Sequence, residues 1–494
     1  TSVDNSVIQV VGTGTSVYDA RQAGLTIVTA NGGTWVVGTS NRGSLGTGEA
    51  NTYGTDRHSA TKFQRLAVDG VVETDSSHGS SSIVKTRDGS VYYWPRWTND
   101  DTYDSANPVY DIGEMSGFSS GSGKVRKIAA GGGDADGRGV WCVLTDDEYA
   151  PPECWGDAGY NVLGQEVSGS SMSDDDDSWD VPLVVKGLPP GRYTGLQMSS
   201  STACVIINGT DDGGGGGEGE IWCWGSFGTH PVGCGGCAGT RVNKIPGISR
   251  NFTQFKMGSD HSCVIEGTNA DGTYGNVICM GENGRGQLGD GTTTYGWDPV
   301  KTVAGYQVAD GSNSLTKNSS FFQSAEQITV SHRDTCVLTS DKEIWCWGWN
   351  HYCQHGVYGG SGTYGAYLPQ RATILDDTTY EAETIYSGMD FTTYVRTADG
   401  SILAWGRGNS GQFGNNRTDN TECAAGRVGA PAVVGEAAGF GFGTSQPTTT
   451  PTSAPSISFQ PTNVPTTPAP TALPTLLPTI SLKPTPSSPA PTIS

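Results

Sequence analysis

Short apolar and polar runs alternate along most of this chain, and the alternation returns at a long, regular interval. The clearest copy is Thr335-Cys-Val-Leu-Thr-Ser-Asp-Lys-Glu-Ile-Trp-Cys-Trp-Gly348, two runs rich in β-branched and aromatic residues around a short turn. Such a pair reads as two antiparallel strands, because these side chains suit a pleated, half-buried surface. A second copy runs from Ser262-Cys-Val-Ile through Val277-Ile-Cys-Met-Gly281 to Gly286-Gln-Leu-Gly289, and weaker copies end at Trp35, Trp94, Trp155, Trp224 and Trp405. With Met280 and Trp347 these mark seven positions 56 to 69 residues apart, a workable period for a blade of four strands.

The pattern predicts an all-β, seven-bladed β-propeller over residues 1–442. Asp88-Gly89 and Asp399-Gly400 supply tight hairpins. A blade cannot bury both faces alone, so blades stack around an axis with the Trp side chains wedged between neighbours. Ring closure favours Val7-Ile-Gln-Val-Val11 as a strand of the last blade.

The strand pair, the Trp-Gly and the trailing Gly-Gln-Leu-Gly resemble the repeat of the regulator-of-chromosome-condensation propeller family. Gly411-Gln-Phe-Gly414, Leu163-Gly-Gln165 and Gly43-Ser-Leu-Gly46 are degenerate versions of the ending. The resemblance implies a seven-bladed propeller. Nuclear members of the family exchange guanine nucleotide on a small GTPase at chromatin, and others inhibit β-lactamases. The nuclear role does not transfer. A formal net charge of -21 repels phosphate, so nucleic acid is excluded as a partner.

Cysteines change the picture next. Four pairs fall on the two strands of one hairpin: Cys142 with Cys154, Cys204 with Cys223, Cys263 with Cys279, and Cys336 with Cys346. Opposed residues of an antiparallel pair are close enough for a disulfide. Cys353 and Cys423, in loops of the last two repeats, are expected to bridge those loops, and Cys234 and Cys237 to close a small loop of their own. Disulfides at this density indicate an oxidising space, so the chain is expected to be secreted or displayed at a cell surface. Sequons at Asn208, Asn251, Asn318 and Asn416 fit N-glycosylation there. The start at Thr1 without Met fits removal of a signal peptide. No apolar run is long enough to span a membrane.

From residue 443 to 494 the composition shifts to Pro, Thr and Ser, and thirteen of the twenty-five prolines lie between Pro447 and Pro491. This second region reads as an extended polyproline II tail. About fifty residues at about 3.1 Å each reach on the order of 150 Å. Thr448, Thr452, Thr462, Thr466, Thr471, Thr475, Thr479 and Thr485 are candidate O-glycosylation sites, as in mucin-like stalks. Phe459, Leu473, Leu476, Leu477 and Ile480 are more apolar than a linker needs and are candidates for docking on a partner. The tail resembles those of cell-surface and wall-associated proteins of diatoms and related algae.

Candidate chemistry is sparse. No catalytic motif occurs, and a non-enzymatic protein is expected. His351-Tyr-Cys-Gln-His355 brings two imidazoles and a thiol together, but a disulfide at Cys353 removes the strongest metal ligand. His261 and His332 precede strand cysteines and suit local hydrogen bonding. Asp174 to Asp177 is a run of four carboxylates that reads as a solvated loop, with calcium as the one cofactor it suggests and no EF-hand spacing behind it. These features lead to an extracellular structural subunit whose tail docks on copies of itself in a filament, appendage or matrix. The alternative is a protein- or glycan-binding propeller on a mucin-like stalk.

Overall fold

The computed structural model describes residues 6 to 433 with interruptions, the longest being 95–112, 166–177 and 226–241. The chain divides into Thr1–Pro447 and Thr448–Ser494, and all described residues lie in the first unit. They are all-β, with no α-helix among them.

Five antiparallel sheets of four strands are each built from strands consecutive in the chain. One of them runs Phe252–Met257, His261–Glu266, Asn276–Gly281, Gly296–Thr302. An eight-stranded sheet contains two more groups of four, joined in parallel at the single pair Gly12–Gly388; in the last, a separate hairpin of Cys423–Ala424 and Arg427–Val428 precedes the fourth strand. The first strands of the groups are Val7–Gly14, Val71–Ser76, Val125–Gly132, Arg192–Met198, Phe252–Met257, Ala325–Val330 and Ala382–Gly388. Each lies against the next, and the last lies against the first.

Among the described residues no backbone ladder joins these first strands beyond Gly12–Gly388, and apart from one bond from the Gly132 N–H to the Ser199 carbonyl at 3.3 Å the links are made by side chains. The Gln9 amide donates to the Thr74 carbonyl at 2.7 Å and accepts from the Thr74 N–H at 2.9 Å. Gln254 does the same between Glu326 and Ile328, at 2.8 and 3.1 Å, and the Ile385 N–H donates to Gln327 at 2.9 Å. The Ala130 N–H donates to Asp75 at 2.9 Å. Charge is balanced along these strands: Lys85 sits 2.5 Å and Lys127 3.3 Å from Glu73. Crowding by neighbouring strands raises Asp75, half-buried, to about 6 and lowers Lys256, whose side chain still reaches solvent, and each draws on the other's charge.

Val7–Gly14 does not complete the last group, contrary to the expectation from ring closure. It opens its own group against Ala23–Thr29, and Ala432–Val433 supplies the outer strand of the last one by pairing with Leu403 and Ala404. Each group is therefore continuous in sequence, and closure is made by the edge pair rather than by an exchanged strand.

The core lies between sheets. Trp94, Trp155, Trp224, Trp347 and Trp405 are fully buried. The indole N–H of Trp347 donates to the Gln287 carbonyl at 2.8 Å, and that of Trp405 to the Gln354 carbonyl at 3.0 Å. Each bond ties a third strand to the loop of the preceding sheet. Gly289, at φ +66°, has no room for a side chain, since a Cβ there would lie 2.8 Å from the Trp347 ring. The Gly-Gln-Leu-Gly ending is thus a cradle for the next sheet's Trp.

Trp35 is not such a residue. The glycine that kinks the third strand is Gly38, whose Cβ would strike the Ala23 carbonyl at 2.3 Å as that of Gly348 would strike the Arg333 carbonyl at 2.4 Å. Val37 therefore holds the Trp position in this group, and Trp35 lies two residues earlier, half-buried. Gly414 of the preceding loop packs on Phe63 of the fourth strand instead, 2.4 Å from a notional Cβ. Phe63 fills the space that the smaller Val37 leaves.

The four hairpin disulfides are present, each between directly opposed residues at a Cα separation of 4.1 Å.

Candidate functional site

Adjacent strands in each group run in opposite directions, so the turns after first strands and the loops after third strands emerge at one end of the ring. In the groups beginning at Ala325 and Ala382 that end carries an aromatic cluster. Trp349 closes the third strand Ile344–Trp349, and the chain then turns through Asn350, His351 and Tyr352. Trp349 and His351 stack in parallel, with centroids 5.5 Å apart and planes 8° apart. Tyr352 stands nearly perpendicular to both, at 6.0 Å from Trp349 and 4.8 Å from His351.

Phe391 is the base of this cluster. Its ring meets Trp349 edge to face at 4.5 Å and lies 5.9 Å from Tyr352, while it is itself 1% exposed. Its backbone sits at φ +66°. A bulky side chain in that region costs about 1 kcal/mol and persists only where packing over-determines it. Here the Arg407 N–H donates to the Phe391 carbonyl at 3.1 Å, and the ring is closed over by Trp349. Arg407, also buried, places its guanidinium carbon 5.7 Å from the Tyr352 ring centroid and donates to Asn409 at 2.9 Å. A cation under an aromatic ring fixes the ring and draws on its face. His351 is exposed and Tyr352 half-buried, so these two present the cluster to solvent.

An ionisable group adjoins it. His332 meets Phe391 edge-on at 5.6 Å and lies 3.9 Å from Asp260 of the neighbouring sheet; Arg333 lies 3.5 Å from the same carboxylate. Burial foremost, and then the charge of Glu282 and a hydrogen bond with it, hold Asp260 well above the usual carboxylate range, with Arg333 opposing. His261 and His355 are sealed off from this surface: burial lowers each to about 3, and His261 Nε2 lies 2.7 Å from the Thr335 hydroxyl.

The arrangement can bind by stacking and hydrogen bonding. The metal reading of His351, Cys353 and His355 meets three diverging side chains, since Cys353 is disulfide-bonded, His355 is buried and His351 lies on Trp349. Among the described residues no group of three or more His, Cys, Asp or Glu is placed to hold a metal ion. No helix among them is long and apolar enough to cross a membrane.

Of the other expected sites, Asn208 ends the strand Thr202–Asn208, half-buried, and Asn251 is exposed just before Phe252–Met257. Asn318, Asn416, Cys234, Cys237, Asp174 to Asp177 and the tail, with its threonines and its docking candidates Phe459 to Ile480, lie outside the described residues, as does the side chain of Cys423. Sequence reasoning missed Trp349, Tyr352, Phe391 and Arg407. One signal was available: Trp349-Asn-His-Tyr352 gathers three aromatic rings within four residues.

A ring of four-stranded sheets packed first strand to first strand, with loops gathered at one end, defines a β-propeller. Its repeat is RCC1-like. The family model described as regulator of chromosome condensation (RCC1) repeat matches residues 329–354, the stretch that builds the Trp347 cradle strand and the platform loop. The human E3 ubiquitin-protein ligase HERC2 is 26% identical over 223 residues, 44% of this chain and 4% of that protein. The ultraviolet-B receptor UVR8 of Arabidopsis thaliana is 27% identical over 199 residues, 40% of this chain and 39% of that one. The match thus spans well under half of either relative. Among solved structures, human WBSCR16 superposes with a TM-score of 0.59 at 14% identity, over 82% of this chain and 94% of that one. Yeast RCC1 (Prp20), solved with Kap60 bound, gives 0.58 at 13%, over 82% and 84%. At these identities the likeness is one of fold.

Proposed function

We propose that the chain is a secreted, non-enzymatic recognition module: a seven-bladed propeller, braced by disulfides, that binds another macromolecule through the platform of Trp349, His351 and Tyr352. The carrying observation is Phe391 at φ +66°, a strained residue held in place under the rings of Trp349 and Tyr352. Strain of this kind is kept where the surface it builds has a use. The seven groups of four strands, closed first strand to first strand, favour seven blades. Four buried hairpin disulfides favour an oxidising compartment, where glycans at Asn208 and Asn251 would have a role. In the same reading Cys353 pairs with Cys423 and Cys234 with Cys237. Yeast RCC1 was solved on a protein partner, a precedent for binding by this fold.

The tail-borne filament expected from sequence rests on residues outside the described ones, so the platform carries the reading. The test is to probe arrays of extracellular glycans and peptides with the full-length chain and with His351→Ala/Tyr352→Ala. A ligand bound by the first and lost by the second supports recognition at the platform; equal patterns sink it.

A further inference from the structure

Resting on that recognition reading, we propose that the platform ligand is a polyproline II segment, namely the Pro/Thr-rich tail of a second copy of this chain. Polyproline II has three residues per turn and leaves its backbone carbonyls free, so it is recognised by flat aromatic faces and a few donors. The platform offers such faces: an imidazole lying on an indole, and a phenol set 79° from the imidazole at 4.8 Å. Both exposed rings carry a polar edge beside an apolar face.

The chain contains the complementary ligand. Pro465 and Pro468, like Pro486 and Pro489, are three residues apart and fall on one face of a polyproline II helix. Charge favours this occupant. The chain carries a formal charge of -21, so two copies repel, whereas residues 443–494 contain a single charged residue, Lys483. An almost uncharged strap reaches an acidic neighbour without that penalty. Valency then points to a second copy. Thirteen prolines lie between Pro447 and Pro491, more turns than one platform spans, so a single tail has sites for several chains.

A fluorescent peptide of residues 460–480 titrated into the full-length chain tests the idea by anisotropy, with sedimentation of the full-length chain alongside. Saturable binding is expected. It should weaken at least tenfold with His351→Ala or Tyr352→Ala, at unchanged melting temperature, and with a peptide carrying Pro465→Ala and Pro468→Ala. The weight-average mass of the wild-type chain should rise with concentration, and that of Tyr352→Ala should not. Peptide binding that ignores both alanine substitutions overturns the proposal. So does binding without concentration-dependent mass, which would put a chain's own tail on its platform. A silent peptide, with an array ligand that His351→Ala/Tyr352→Ala still abolishes, overturns the tail as ligand and leaves recognition standing; silence in both overturns both.

Discussion

The indole nitrogen of Trp347 lies 2.8 Å from the carbonyl oxygen of Gln287, a hydrogen bond between two neighbouring four-stranded sheets. The same carbonyl accepts from the Thr335 hydroxyl at 3.2 Å, so one peptide group holds two points of the next sheet. Trp347→Phe keeps most of the buried ring and removes the donor. The expected loss is about 1–2 kcal/mol, one hydrogen bond plus a small void, read as a shifted midpoint in guanidinium unfolding.

Gly289 makes a sharper test of the same contact. An alanine there meets both a positive φ of +66° and a Trp347 ring atom 2.8 Å from its Cβ. Gly117 shares the positive φ, at +86°, but a Cβ there meets nothing within 4 Å. Gly117→Ala should therefore cost only the backbone term, about 1 kcal/mol, and Gly289→Ala clearly more, about 2–4 kcal/mol. Equal costs would show that the cradle does not confine the ring.

The hairpin bridges should contribute unequally little to shape and substantially to stability. Cys336 and Cys346 are opposed across one pair of strands and buried, with ten residues of separation. Their loss as Cys336→Ser/Cys346→Ser frees the unfolded chain and buries two hydroxyls. About 3 kcal/mol is expected, measured as a drop in melting temperature against the wild type under the same non-reducing conditions.

Much of this fold is legible in sequence because its signals are local. Opposed cysteines, turn residues and a Trp-Gly kink each act within one hairpin. Trp35 misleads because composition was read where register decides: the kinking Gly38 places Val37, not the Trp, at the cradle. The platform is legible only in part. Trp349 to Tyr352 form a visible aromatic run, but Phe391 and Arg407 come from the next sheet, and nothing in a Phe codon's neighbours announces a positive φ. Long-range assembly of this kind appears when the loops are brought together.

Acid should act on the molecule through its buried imidazoles. His261 is held neutral down to about 3 by burial, against 6.5 for an exposed imidazole. Between those values only the unfolded chain takes up the proton, so stability present above pH 6.5 is lost as the pH falls toward 3. His261→Gln keeps a polar group near Thr335 and removes the titration. Its melting temperature should change less than that of the wild type between pH 6.5 and 4, whatever its value at pH 7; an unchanged slope would falsify the assignment.

Phe391 separates strain from function. Phe391→Gly removes the cost of a bulky residue at φ +66°, about 1 kcal/mol, but empties the space beneath Trp349, a loss of about 3–5 kcal/mol for a buried Phe. The net expectation is a chain less stable by about 2–4 kcal/mol. Phe391→Leu fills part of that space and keeps the strain, so it should lose less stability than Phe391→Gly. Both lack the flat ring that meets Trp349 edge to face at 4.5 Å. If Phe391 serves the platform rather than the core alone, near-ultraviolet circular dichroism from Trp349 and Tyr352 should change in both variants, and ligand binding should fall together with that signal and not in proportion to stability. Binding that tracks stability instead would make Phe391 a core residue only.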